Sequence, residues 1–378
     1  MDVLFITTWE SQCGVATYSD QLAQALVAKG AHVTVFSEVA APMPRAYATH
    51  VNGKDSKDGT INVLECWNRR ASYHAPFGLE SILKHIDSSP RPPGTVHVSH
   101  EFGLFPDSAG FIQFLAELEK RKINTVVTLH TVTKPPFFAG FFSRLGKTLT
   151  TFVVHTHAAA AALAGWSPTT RIAIIPHGVT VQTKVVKTDA RTALDVEKEE
   201  DLFLVPGFMG TGKGQDDVLT AFLKLVVKYK GNVRLAIVGL CRDGNFQDKL
   251  EHAIHSNGLI DLVYFKPEFQ TARERHLWFS AADVVVLGSG KTSPYSSSGQ
   301  LHTALGYGLP IIAKNVPIYR GQGGGVLLYD DIEECTSWMD SLCGSGPVDE
   351  LAAASLDTAK ERSWDKVADM YLKVYSGH

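Results

Sequence analysis

The chain lacks most features that would set it apart from ordinary globular proteins. Its five cysteines, Cys13, Cys66, Cys241, Cys335 and Cys343, are scattered and odd in number, with no CxxC pair. That argues against a disulfide framework and against a zinc site. No apolar run approaches the ~20 residues that span a bilayer. The opening MDVLFITTW has no charged region, long apolar stretch and small-residue cleavage site of a signal peptide. The net charge is only -3 and no strongly basic domain stands out, so charge gives no support to nucleic-acid binding. The GxGxxG turn of a nicotinamide-binding domain is missing too: Ser11–Ala16 reads SQCGVA. The expected location is the cytoplasm, with peripheral contact at the inner membrane face left open.

The content is that of a globular protein, 44% hydrophobic and 20% charged, and 378 residues call for two domains. Short Val/Ile/Leu runs recur at strand length. They are Val3–Thr7, His32–Phe36, Ile61–Glu65, Thr95–His100, Thr125–His130, Thr151–His155 and Ile172–Pro176, then Leu202–Gly207, Val233–Gly239, Leu262–Phe265, Val284–Gly288, Pro310–Lys314 and Val326–Tyr329. Runs without alternation mean strands covered on both faces, hence parallel sheets with crossover helices. Val15, Tyr18, Leu22, Ala25 and Leu26 share one helical face ahead of a Gly30 stop, completing a βαβ unit. The expected fold class is therefore α/β, two Rossmann-like, doubly wound domains. The charged stretch Lys184–Asp201 is where the chain should change domains, and Ser363–Tyr375 should form an amphipathic helix. Residues 40–60, polar with two prolines, read as a loop.

In open parallel sheets ligands bind beyond the carboxyl ends of strands, where strand order reverses. Four strand-end clusters stand out. Gly14 opens the first helix, where N–H groups suit an anion, although a turn glycine explains it equally well. Gly207–Gly214, GFMGTGKG, frames Lys213 with glycines and suits a phosphate. It matches the P-loop GxxxxGK, but Gly214 replaces the Ser or Thr that holds magnesium. Ser298–Gly299–Gln300–Leu301, after two further serines, opens a helix and forms another anion site. Finally His97, His100, Glu101 and His130 follow two strands. His97 and His100, three apart, point to opposite faces, so they should not share a metal. Glu101 and His130 can orient or deprotonate a hydroxyl. One anion site in the first half and two in the second point to a diphosphate, as a nucleotide-sugar presents.

These stretches carry a family resemblance. CGVATYSDQLAQAL, VHVSHEFGLF, VVTLHTV, IAIIPHGV, GFMGTGKG and SSGQLHTALGYGLPIIA stand in the order and spacing of the retaining glycosyltransferases of family 4, and the HEFG…TLHT pair resembles one subgroup. The resemblance implies the GT-B fold, two domains facing across a cleft. Residues 1–182 would form the acceptor-side domain, 183–358 the nucleotide-sugar side, and 359–378 a helix crossing back. It implies that Gly14, Lys213 and the amides of Ser298, Gly299, Gln300 and Leu301 bind the donor diphosphate. His130, Glu101 and Lys213 would be the catalytic groups. Gly207, Phe208, Lys266, Glu268, Tyr295 and Thr303 would lie near the nucleotide and sugar. There are two departures. Phe208 stands where the family usually has arginine, and Tyr295 and Thr303 stand where it usually has two glutamates with seven residues between them.

The implied chemistry is transfer from a nucleotide-sugar, UDP- or GDP-linked, to a hydroxyl acceptor, with no metal and no further cofactor. The acceptor could be a saccharide, a lipid-linked glycan or a modified nucleic-acid base. Phe137, Phe138, Phe141 and Phe142, with Arg144 and Lys147, could touch a membrane, or pack the core. Two alternatives stand beside this expectation: a P-loop-like phosphotransferase, and a non-catalytic nucleotide-sugar-binding relative.

Overall fold

The computed structural model of the chain describes residues 1–11, 13–38, 61–67, 79–90, 92–133, 139–197, 200–229, 232–288, 290, 295–344 and 346–377. The expected 40–60 loop, Phe137 and Phe138 lie outside these. Chain contacts divide the molecule into two compact units. One holds Met1–Gly178, Tyr295–Ser297 and Trp364–His378, and the other Val179–Pro294 and Ser298–Ser363.

The first unit runs β1 (Asp2–Thr7), α1 (Gly14–Ala28), β2 (His32–Glu38), β3 (Ile61–Trp67), α2 (Leu79–Ser88), β4 (Thr95–His100), α3 (Ser108–Lys120), β5 (Asn124–Leu129), α4 (Ala139–Leu145), β6 (Thr151–Val154), α5 (His157–Trp166) and β7 (Arg171–Ile174). Its seven strands are ordered β3-β2-β1-β4-β5-β6-β7, all parallel, so order reverses between β1 and β4. The pleat sends Leu4 and Ile6 of β1 into a core beneath α2–α5, and Val3 and Phe5 into a core beneath α1. That double burial is why these strands read as continuous apolar runs. Gly30, at φ +82, closes α1 in the left-handed region that a side chain would disfavour.

The second unit runs α6 (Lys187–Leu194), β8 (Asp201–Pro206), α7 (Gln215–Tyr229), β9 (Val233–Val238), α8 (Gly244–Ser256), β10 (Val263–Lys266), α9 (Ala272–Ala281), β11 (Val284–Leu287), α10 (Gly299–Gly306), β12 (Ile311–Lys314), β13 (Val326–Tyr329), α11 (Ile332–Ser341) and α12 (Val348–Glu361). Its six parallel strands are ordered β10-β9-β8-β11-β12-β13, with the reversal between β8 and β11. Leu202 and Leu204 of β8 face one core and Phe203 and Val205 the other.

The charged stretch after Gly178 belongs to this unit and carries α6. Buried Arg191 holds that helix in place by bonding Asp283 at 2.6 Å and the carbonyls of Ala281 and Glu200. Val179 donates its N–H to Arg362 O at 2.7 Å and pairs with Ser363. Residues 359–363 therefore stay with the second unit.

Helix α13 (Trp364–Tyr375) belongs to the first unit. It packs on α1 through Val367, Ala368, Tyr371 and Tyr375, and Lys29 bonds Asp365 and Asp369 at 2.8 Å each. Beneath it runs a chain of polar contacts. Tyr375 OH meets His97 Nδ1 at 2.6 Å, and His97 Nε2 meets Thr128 Oγ1 at 2.8 Å. Tyr371 OH meets both Thr128 Oγ1 and Tyr18 OH at 2.7 Å. His97 is thus a satisfied core histidine, its pKa lowered by burial to about 3. His100, three residues on, points to the opposite face, among Phe105, Phe111 and Phe141.

Candidate active site

In the first unit, Glu101 and His130 follow directly on β4 and β5, which are neighbours in the sheet. His130 N–H donates to His100 O at 3.1 Å, locking the two strand ends together. The Glu101 carboxylate accepts from Thr131 Oγ1 at 2.7 Å and from Phe102 N–H at 3.1 Å. Burial raises its pKa against the pull of those two bonds. A carboxylate held by two donors, yet less acidic than usual, is suited to accepting a proton.

His130 stands edge-on to Tyr18, ring centroids 4.7 Å apart, and His155 and His177 pack on the same tyrosine at 5.2 and 5.0 Å. Burial, then the neighbouring imidazoles, hold His130 well below its usual pKa, so the ring is neutral at pH 7. Its Nε2 is buried with no partner in the described structure. His155 donates from Nδ1 to Ile175 O at 3.0 Å, which leaves its Nε2 equally unpartnered. This imidazole cluster escapes sequence reasoning, because only the lateral order of β5, β6 and β7 brings the three histidines around Tyr18. Gly14 is the first residue of α1, and a Cβ added there meets nothing within 4 Å.

In the second unit, the loop after β8 and the start of α10 meet at the reversal of strand order. Gly207, at φ +108, lies against Gln300: an added Cβ would come within 3.1 Å of the Gln300 side chain. Gly214, at φ +78, abuts Gly288 after β11, where a Cβ would fall 2.3 Å from the Gly288 carbonyl oxygen. A P-loop needs a hydroxyl-bearing side chain at Gly214, and there is no room for one. Between these glycines Lys213 is half-buried, and no carboxylate or carbonyl bonds its ammonium among the described residues. Burial alone lowers its pKa.

Ser298 caps α10 by accepting from Leu301 N–H at 3.3 Å. Of the four amides expected to face an anion, Leu301's is therefore already taken. Those of Gly299 and Gln300 are first-turn N–H groups without intrahelical partners. Thr303 Oγ1 donates back to Gly299 O at 2.9 Å. Tyr295 packs against the core of the first unit, its ring 6.0 Å from Trp166.

A pocket of about 80 Å³ opens at the ends of β8, β9 and β10, bounded by Gly207, Phe208, Phe269, Gln270, Arg275 and Gln300 among others. Lys266 and Glu268 are not in its wall. They contribute backbone instead: Lys266 O accepts from Gly239 N–H at 2.9 Å and Glu268 O from Gln270 Nε2 at 3.1 Å. Phe269 and Gln270, in the loop after β10, and Arg275, in α9, were not anticipated. Phe208 is 52% exposed, with the Arg242 guanidinium 5.6 Å from its ring centre.

In the described part of α4, Phe141 and Phe142 are buried in the core, while Arg144 and Lys147 are exposed. That leaves α4 no apolar face for a membrane among the described residues. No described helix is long and apolar enough to cross one. No three His, Cys, Asp or Glu side chains among the described residues are placed to hold a metal ion.

Sequence profiles decide the family. Glycosyltransferase Family 4 matches residues 13–183, and Glycosyl transferases group 1 matches residues 186–322. The chain belongs to glycosyltransferase family 4. It is a glycosyltransferase with two parallel-sheet α/β domains of the GT-B architecture. No curated protein matches it in sequence. Solved structures share its fold over essentially the whole length. Anabaena HepE in complex with UDP and glucose is 14% identical, with a TM-score of 0.72 and 100% of each chain covered. Sucrose-phosphate synthase from Thermosynechococcus elongatus is 17% identical, with a TM-score of 0.71 and coverage of 100% of this chain and 99% of that one. The trehalose 6-phosphate synthase from Burkholderia multivorans is 12% identical, with a TM-score of 0.69 and coverage of 99% and 98%. At such identities the likeness is one of fold.

Proposed function

We propose that this family 4 glycosyltransferase moves a sugar from a nucleoside-diphosphate sugar to a hydroxyl acceptor, with retention and without a metal. The observation that carries this reading is Lys213. A half-buried ammonium with no counter-charge among the described residues, set in a glycine loop at the sheet's reversal point, is disfavoured until an anion arrives. A diphosphate is that anion. Lys213 and the amides of Gly299 and Gln300 would offset the charge that grows on it as the sugar departs, which is electrostatic preorganisation. The pocket bounded by Phe269, Gln270 and Arg275 would take the base. HepE, which shares the fold, has been crystallised with UDP and with UDP-glucose.

On the acceptor side, Glu101 would receive the hydroxyl proton. His130, neutral at pH 7, would hydrogen-bond the transferred sugar. Neither would be a covalent nucleophile, since attack comes from the face the leaving group vacates. A saccharide or lipid-linked glycan fits this chemistry as acceptor.

A thermal-shift panel of UDP-, GDP-, ADP- and TDP-sugars and of the matching nucleoside triphosphates, with EDTA and with magnesium, tests the proposal. The expected result is stabilisation by one base class that EDTA leaves unchanged, followed by transfer to water or an acceptor in EDTA. Stabilisation by nucleoside triphosphate with magnesium and by no sugar conjugate would overturn it.

A further inference from the structure

We propose that Phe208 is a stacking platform for the donor's base, braced from behind by Arg242; the proposal rests on the nucleotide-sugar reading above. Phe208 occupies the position where the family resemblance calls for arginine, so a cation has been replaced by an aromatic face. The ring is not a core residue: it is 52% exposed and forms part of the pocket wall with Gly207, Phe269 and Gln300. Arg242 lies over the ring at 5.6 Å, and Phe208 borders the pocket whereas Arg242 does not.

The platform is held firmly. Gln215 Nε2 donates to Phe208 O at 3.2 Å, and the next residue, Met209, donates its N–H to Leu240 O at 3.0 Å and bridges to Cys241. The loop bearing Phe208 is thereby pinned to the loop bearing Arg242. A cation over one face of a phenyl ring is attracted by the ring's quadrupole. The other face is left for a second planar π-system. Every base has such a face, and Gln270, Arg275 and Gln300 stand in the same wall to meet polar edges. Arginine at position 208 would favour phosphate, whereas phenylalanine favours the base.

Calorimetric titration of the full chain with UDP, GDP, ADP, TDP and inorganic pyrophosphate tests this. Wild type should bind at least one of the nucleotides. Phe208→Ala should weaken that nucleotide by about ten-fold or more, within the range for loss of one base–aromatic stack, and leave pyrophosphate unchanged. Phe208→Leu, which keeps bulk without a π-face, should behave like the alanine variant, and Phe208→Trp should bind like wild type. Wild-type nucleotide affinity in Phe208→Ala, or equal losses for nucleotide and pyrophosphate, would overturn the platform and leave the nucleotide-sugar reading standing. Wild type binding none of the four nucleotides would overturn both.

Discussion

Replacing Lys213 with methionine keeps an unbranched side chain one heavy atom shorter and removes its charge. In the free protein this ammonium is half-buried with no partner among the described residues, and burial lowers its pKa. The folded state therefore binds its proton less tightly than the unfolded state does, so its contribution to stability is unfavourable. That contribution is fully present below the lowered pKa and fades as pH rises toward the unfolded value of about 10.4. Lys213→Met should thus leave the ligand-free protein as stable as wild type or slightly more so at pH 7. With ligand the sign reverses. A charge-assisted hydrogen bond to a phosphate contributes about 1.5–3 kcal/mol, so nucleoside-diphosphate affinity should fall roughly ten- to a hundred-fold. A donor aimed at charge that develops during reaction is worth about 2.7–4 kcal/mol, so the transfer rate should drop on the order of 10²–10³. Melting curves with and without UDP and GDP, together with steady-state rates, give all three quantities. A methionine variant that melts several degrees lower without ligand, yet keeps its nucleotide shift and its rate, would refute the assignment. It would make Lys213 a structural residue.

Three further outcomes follow from the geometry. Glu101→Gln should lower turnover by on the order of 10²-fold or more. It should also abolish the acid limb of the rate profile, which in wild type should lie above the ordinary carboxylate range because burial raises the Glu101 pKa; an unchanged limb counts against Glu101 as the proton acceptor. Tyr371→Phe should destabilise the first unit by about 1–3 kcal/mol in urea titrations, since it strips a shared hydroxyl from Thr128 and Tyr18. Gly214→Ala should lower the melting transition of the second unit by the equivalent of at least about 1–3 kcal/mol, because it pairs a left-handed backbone with a collision at Gly288.

Among the described residues the central strands β1, β4, β5, β8, β9 and β11 could be read from sequence because they are buried on both faces and so declare themselves as apolar runs, while the more exposed edge strands β3, β7, β10 and β13 were read from their Val, Ile and Leu content. α1 and α13 were equally legible from their apolar spacing. The glycines that shape the loop around Lys213 were visible for a related reason, since backbone that side chains cannot follow leaves glycine behind. Lateral relations left no such trace. Tyr18 meets His130, His155 and His177 only because β5, β6 and β7 lie side by side, and nothing in the spacing of four separate segments encodes that. The capping of Leu301 N–H by Ser298 was likewise hidden: a serine ahead of a helix can equally bind a ligand or close the helix on itself. The pocket wall at Phe269, Gln270 and Arg275 left no trace, because which residues of the β10–α9 loop and of α9 line a pocket depends on how the chain turns after the strand, which composition does not encode.

The second unit begins at Val179 and ends at Ser363, two residues that pair with each other, and apart from Tyr295–Ser297 everything between them in the chain belongs to it. During synthesis, then, the unit that begins second is completed first. Until Trp364–Tyr375 has been made, the core that holds Val3, Phe5 and Val126 lacks the part of its cover that α13 supplies, and His97 and Thr128 lack their tyrosine partners. A stop codon just after Ser363 should therefore leave a well-formed nucleotide domain attached to a first domain that exposes apolar surface and recruits chaperones.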